Sequence, residues 1–132
     1  MKRREARELA FAILFEKTFK GDSVQEIIDN ATESRDLVVD DYVITTCSNI
    51  EQNQKSIDEK ISANLTGWKL NRLSKITASV LRLAFYEILY NDEVPYKVTI
   101  NECVEIAKKY EGDQAGSFVN GVLGSLIKSL EK

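Results

Sequence analysis

The stretch from Ile76 to Tyr90, ITASVLRLAFYEILY, constrains this chain most, because as a helix it is apolar on nearly every side. Ile76, Val80, Leu83 and Ala84 recur at helical spacing, and Leu81, Phe85, Ile88 and Leu89 fill an adjoining face. A helix of this kind must be enclosed by other elements. The sequence therefore predicts a central rod with further helices packed around it. Lys75, Ser79, Arg82 and Tyr86 trace a single polar line at intervals of three and four, expected to stay wet. Ser74 is the natural N-cap, its hydroxyl able to accept from the first unpaired N–H groups. Glu87 is the awkward charge, expected beside a cationic or polar neighbour rather than in dry core.

A rod needs a sheath, and 132 residues are enough for one domain that buries roughly two-thirds of its unfolded surface. No apolar run approaches the roughly 20 residues that span a membrane. The start, MKRREARELAFAILF, is basic and then apolar like a signal peptide, but Glu5, Glu8 and Glu16 interrupt it and no cleavage site follows. Cys47 and Cys103 fall within apolar helical stripes and are expected to be free, buried thiols rather than a disulfide.

Charge is unevenly spread. Residues 1–20 carry six basic and three acidic side chains, residues 21–66 three and ten, and residues 67–132 nine and eight. Lys2, Arg3, Arg4 and Arg7 form the single dense basic cluster, which suits a polyanion even on an acidic protein.

The first helix is expected over Arg3 to Lys20, stopped by Gly21, with Ala6, Leu9, Ala10 and Ile13 as its core stripe. Arg4, Arg7, Phe11, Leu14 and Phe15 occupy the next sector, read either as a second buried side or as a basic and aromatic docking face. A short helix capped by Asp22 or Ser23 follows, then a polar loop from Thr32 to Asp36. From about Val39 the spacing Val43, Cys47, Ile50, Ile57, Ile61 predicts one long helix ending near Leu65. In the turn TGWKLNRL, Trp68, Leu70 and Leu73 are expected to be pinned to the core while Arg72 faces out. After the central helix, Asn91 to Val98 is read as a loop, and Thr99-Ile-Asn-Glu102 as a capping box that starts the next helix, which Gly112 ends. The last helix, from about Ala115 to Leu130, is expected to turn Val119, Val122, Leu123, Leu126 and Leu130 inward. Its other side lines up Ser117, Gly121, Gly124 and Lys128, and each glycine costs a helix about 1 kcal/mol against alanine. Such a face suggests close approach of something to the backbone. Phe118, at the edge of the stripe, is either core packing or a partner contact.

Catalytic arrangements are lacking. The chain has no histidine, and with it go the commonest general base and the commonest metal ligand. No Cys-x-x-Cys, glycine-rich phosphate loop or Walker sequence occurs. No catalytic residue, metal or cofactor is assigned, and the chain reads as a binding protein. Arginines beside aromatics favour single-stranded nucleic acid.

Several segments resemble the NusB family of transcription antitermination proteins. They are Arg3-Arg4-Glu5-Ala6-Arg7-Glu8-Leu9-Ala10, Trp68 with Arg72, and Val80 to Ile88 (VLRLAFYEI). They continue with Val94 to Glu102 (VPYKVTINE), Glu105 to Tyr110 (EIAKKY) and Phe118 to Leu123 (FVNGVL). The resemblance spans essentially the whole chain in the family's order. It implies an all-α fold, a compact NusB-like helical bundle of about seven helices in two packed subdomains, with residues 1–132 as a single RNA-binding domain. It implies a non-catalytic, cytoplasmic bacterial factor that binds the boxA single-stranded RNA of nascent ribosomal RNA together with ribosomal protein NusE. The two would join the RNA polymerase antitermination complex with NusA and NusG; self-pairing to a homodimer varies across the family. Transferred residue by residue, RNA contacts fall on Lys2, Arg3, Arg4, Arg7, Phe118 and Asn120, and partner contacts on Phe15, Arg82 and Tyr86. The chain departs from the family in having a short basic cluster and an uncharged run from Gln114 to Ser117, so no charged contact is carried over there. Two rival readings are a NusB-like domain of the kind attached to ribosomal RNA methyltransferases and a helical scaffold that binds only proteins.

Overall fold

The computed structural model describes residues 1–35 and 39–131, and Asp36, at the end of the expected loop, lies outside them. Among the described residues are six α-helices and one 3-10 turn, without strands. They are α1 (Arg3–Phe19), α2 (Val24–Arg35), α3 (Asp41–Ala63), a 3-10 turn (Leu70–Arg72), α4 (Lys75–Tyr90), α5 (Tyr96–Glu111) and α6 (Asp113–Leu130). None of them is long and apolar enough to cross a membrane. The chain divides into two compact units, Met1–Asn53 and Gln54–Lys132, and the boundary falls inside α3.

In the first unit α1 packs on α2. Ala6, Ala10 and Ile13 are buried as expected, with Val24, Ile27, Ile28 and Ala31 from α2 and Val43, Cys47 and Ile50 from α3. The start of α2 carries the reciprocal capping pattern: the Glu26 N–H donates to Ser23 Oγ and the Ser23 N–H to Glu26 Oε1, each at 3.2 Å. Helix α2 then continues through the expected loop to Arg35. Glu51, on α3, joins the three helices. Its carboxylate accepts from the Val24 N–H at 2.9 Å and pairs with Lys17 of α1 at 3.1 Å. The Val24 N–H bond, with Lys17 behind it, holds the Glu51 carboxyl below the ordinary glutamate range against a smaller opposing effect of burial.

In the second unit α4 packs on both α5 and α6, and α5 on α6. Thr77 to Glu87 of α4 is buried except for Arg82, so the rod is enclosed as predicted. Ser74 caps it, accepting from the Thr77 N–H at 3.0 Å. The wet polar line is corrected. Ser79 is fully buried, its hydroxyl donating to the Lys75 carbonyl at 2.7 Å, and Tyr86 is 6% exposed. The capping box at Thr99 is also corrected, because α5 begins three residues earlier, at Tyr96 after Pro95. Thr99 instead donates its hydroxyl to Glu87 Oε1 at 2.9 Å, and this is the polar neighbour Glu87 requires.

Gly112 closes α5 and opens α6 at a φ of 91°, which disfavours any residue with a Cβ. Gly116, one turn into α6, lies against the Lys108 side chain of α5, where an added Cβ would sit 2.5 Å from Lys108 Cγ. Gly121 and Gly124 differ: no atom of the chain lies within 4 Å of where their Cβ would be.

Two stability predictions follow from these contacts. In urea unfolding, Gly121→Ala and Gly124→Ala should each stabilise by up to about 1 kcal/mol through helix propensity, whereas Gly112→Ala should destabilise by about 1 kcal/mol. Glu51→Gln should destabilise by about 1 kcal/mol at neutral pH, the difference between charged and neutral hydrogen bonding. Because the folded-state pKa of Glu51 is depressed, that stability is present above the unfolded glutamate pKa and lost as pH falls through the folded value. The gap between wild type and Glu51→Gln should thus close in acid.

Candidate nucleic-acid interface

The first unit presents the basic cluster on the opening turn of α1. Lys2 is the N-cap and supplies no side-chain cap bond. Lys2, Arg3 and Arg4 are exposed. Cations at the positive end of a helix dipole cost about 0.3–1 kcal/mol each, and a missing cap about 1 kcal/mol. As a helix start this turn is poorly arranged. As a place for an anion it is well arranged, because unpaired N–H groups and cations converge there.

Tyr42, at the start of α3, organises the guanidinium groups. Its N–H donates to Asp40 Oδ1 at 2.7 Å, and its ring carries Arg3 at 4.2 Å and Arg7 at 5.9 Å from the ring centre. Arg7 corrects the expectation of a phosphate contact. It is 2% exposed, so it packs beneath the exposed turn and cannot meet a phosphate from there.

The second unit brings Phe118 of α6 to the indole of Trp68, with ring centres 6.0 Å apart at 76°, edge to face. Trp68 is 57% exposed and so is not the core anchor expected. Gly67 before it adopts a φ of 78°. The two rings belong to a groove of about 420 Å³, lined also by Arg72, Gln114, Thr77 and Glu111. Asn120 is exposed one residue past Val119 on α6. Trp68 is the residue that the helical pattern missed, since an apolar side chain in an aperiodic turn carries no face assignment.

The partner-binding candidates are placed less openly. Phe15 is half-buried in a row of rings on α1, 6.1 Å from Phe11 and 4.9 Å from the exposed Phe19. Arg82 is held by Asp58 in a two-pronged pair, Nε to Oδ1 at 2.8 Å and Nη2 to Oδ2 at 3.1 Å. Tyr86 is buried and stacked on Tyr90 at 5.5 Å. Tyr90 is the exposed member of that pair, with the Lys60 ammonium 5.8 Å from its ring centre.

Among the described residues no group of three or more His, Cys, Asp or Glu could hold a metal ion. Neither cysteine is in a disulfide, and both are buried. Burial, with Glu51 nearby as the lesser cause, pushes the Cys47 thiol up to about 12. It is protonated at neutral pH and so is no nucleophile.

Known proteins supply the wider context. The profile of the NusB family matches residues 4–128. A transcription antitermination protein NusB of Clostridium novyi is 45% identical over 98% of this chain and all of its own length. Among solved structures, T. maritima NusB superposes with a TM-score of 0.84 at 35% identity, covering 97% of this chain and 92% of that one. Antitermination factor NusB, crystallised with NusE and double-stranded RNA, gives 0.86 at 26% identity, covering 96% of each chain.

The opening turn of α1 sets stability against anion binding. Lys2→Ser supplies a capping hydroxyl and removes a cation, so it should stabilise the fold by about 1 kcal/mol. The same variant should elute from a heparin column at lower salt than wild type.

Proposed function

The chain belongs to the NusB family, and on that premise we propose that it is a non-catalytic transcription antitermination factor binding RNA together with NusE. The observation that carries this reading is the exposed Lys2-Arg3-Arg4 turn, whose charges oppose the dipole of the helix they begin. The RNA is the boxA element of nascent ribosomal RNA, and residues 1–132 act as one RNA-binding domain. The pair joins RNA polymerase with NusA and NusG in the cytoplasm of a bacterium. A homodimer would be an alternative state of the free protein. Lys2, Arg3 and Arg4 hold phosphates, and Arg7 positions them through the Tyr42 ring. Phe118 and Asn120 meet unstacked bases. For NusE, Phe15 offers the aromatic row of α1. Arg82 and Tyr86 act by supporting the surface formed by Asp58 and Tyr90.

Fluorescence anisotropy of a labelled boxA-type single strand, at two salt concentrations and with and without NusE, tests this. Binding should exceed that of a scrambled strand and strengthen with NusE. Replacing Arg4 by alanine should weaken binding to both strands alike and flatten the log–log salt slope by about 0.7. Equal, salt-independent or absent binding would favour the scaffold that binds only proteins.

A further inference from the structure

We infer that Tyr42 is a positioning residue for RNA: its ring fixes the Arg3 guanidinium at the surface in the arrangement that meets a phosphate. The inference deepens the RNA-binding reading above and rests on it.

Arg3 is exposed, and among the described residues it makes no ion pair. Its contact is with the Tyr42 ring, 4.2 Å from the ring centre. That is closer than the roughly 6 Å within which a cation is drawn to an aromatic face. A carboxylate would hold the same side chain by neutralising it and occupying its N–H fork, as Asp58 does to Arg82. A ring does neither. The charge and the N–H donors of the guanidinium stay available to a phosphate.

The ring is the fixed partner. Tyr42 is 8% exposed, its neighbour Val43 is wholly buried, and the Tyr42 N–H donates to Asp40 Oδ1 at 2.7 Å. Arg7 lies one helical turn beyond Arg3 on the same face of α1, and its guanidinium is 5.9 Å from the same ring centre. Two successive turns of α1 thus bear on one ring. The opening turn, which has no side-chain cap bond of its own, is tied to α3 through that ring. A long side chain loses rotamer freedom when a ligand orders it, and that loss opposes binding. Arg3 has given up part of that freedom before RNA arrives.

Fluorescence anisotropy of the boxA-type strand with NusE reads the effect, through a double-substitution cycle between Tyr42 and Arg3. Tyr42→Leu keeps an apolar side chain at the start of α3 and removes the aromatic face. It should weaken binding about 2- to 5-fold, the span of an exposed cation–π contact. The loss should be the same on a scrambled strand, since a phosphate contact carries no sequence information. Tyr42→Phe, which keeps the ring, should bind like wild type. In the Arg3→Ala background Tyr42→Leu should weaken binding no further, because the side chain it positions is gone. A ring that merely supports the fold would cost the same in both backgrounds. Without any substitution, the Arg3 side-chain protons of the free protein should resonate upfield of their random-coil positions in NMR spectra, shifted by the ring they lie against.

If Tyr42→Leu binds as tightly as wild type or more tightly, or weakens binding equally in both backgrounds, the positioning role is overturned and the RNA reading stands. If Tyr42→Leu does not fold, random-coil Arg3 shifts overturn the role and upfield shifts support it. If no RNA changes the anisotropy under any condition, the RNA reading fails and this inference falls with it.

Discussion

Glu87 carries a carboxylate into the enclosed face of α4, and the second unit is arranged around giving it a partner. Left alone there, such a group would cost several kcal/mol. The Thr99 hydroxyl meets it at 2.9 Å and ties α5 to α4 at that register. Register then propagates. Gly112 lets the chain reverse within one residue, Gly116 admits the Lys108 side chain, and α6 lies against both helices. On the helix so placed, Phe118 meets Trp68 edge to face.

The first unit uses a different device for the same end. Glu51 reaches from α3 to an unpaired N–H of α2 and to Lys17 of α1, doing for α2 what a second capping side chain would do. That contact adds stability to the first unit. Stability is given up at the opening turn of α1, where no cap forms and three cations oppose the dipole. Tyr42 limits the cost by spreading two guanidinium groups over one ring.

The helices were legible because their apolar residues recur with the helical period. Val43, Cys47, Ile50, Ile57 and Ile61 are each wholly buried, as the spacing indicated. The cap at Ser74 was legible from chemistry alone. What escaped depended on contacts between distant residues. Thr99 matched a capping box, but a buried carboxylate twelve residues earlier had the stronger claim on its hydroxyl. Arg7 looked like its neighbours, yet Tyr42, thirty-five residues later, covers it. Trp68 was misjudged because size and hydrophobicity argue for burial, while it lies in an aperiodic turn beside the left-handed Gly67 and is 57% exposed. Of the candidate interface, the cation cluster could be read directly, whereas the aromatic groove needed α6 to be laid beside the turn.

The burial of both cysteines bears on how this protein can be handled. Burial pushes the Cys47 thiol up to about 12, so it stays protonated at neutral pH. Cys103 has no exposed surface from which to react. Neither native thiol is therefore presented to a maleimide at the surface. A cysteine engineered at an exposed site would be the one position to accept a dye or spin label, without any need to strip the natural thiols from the core.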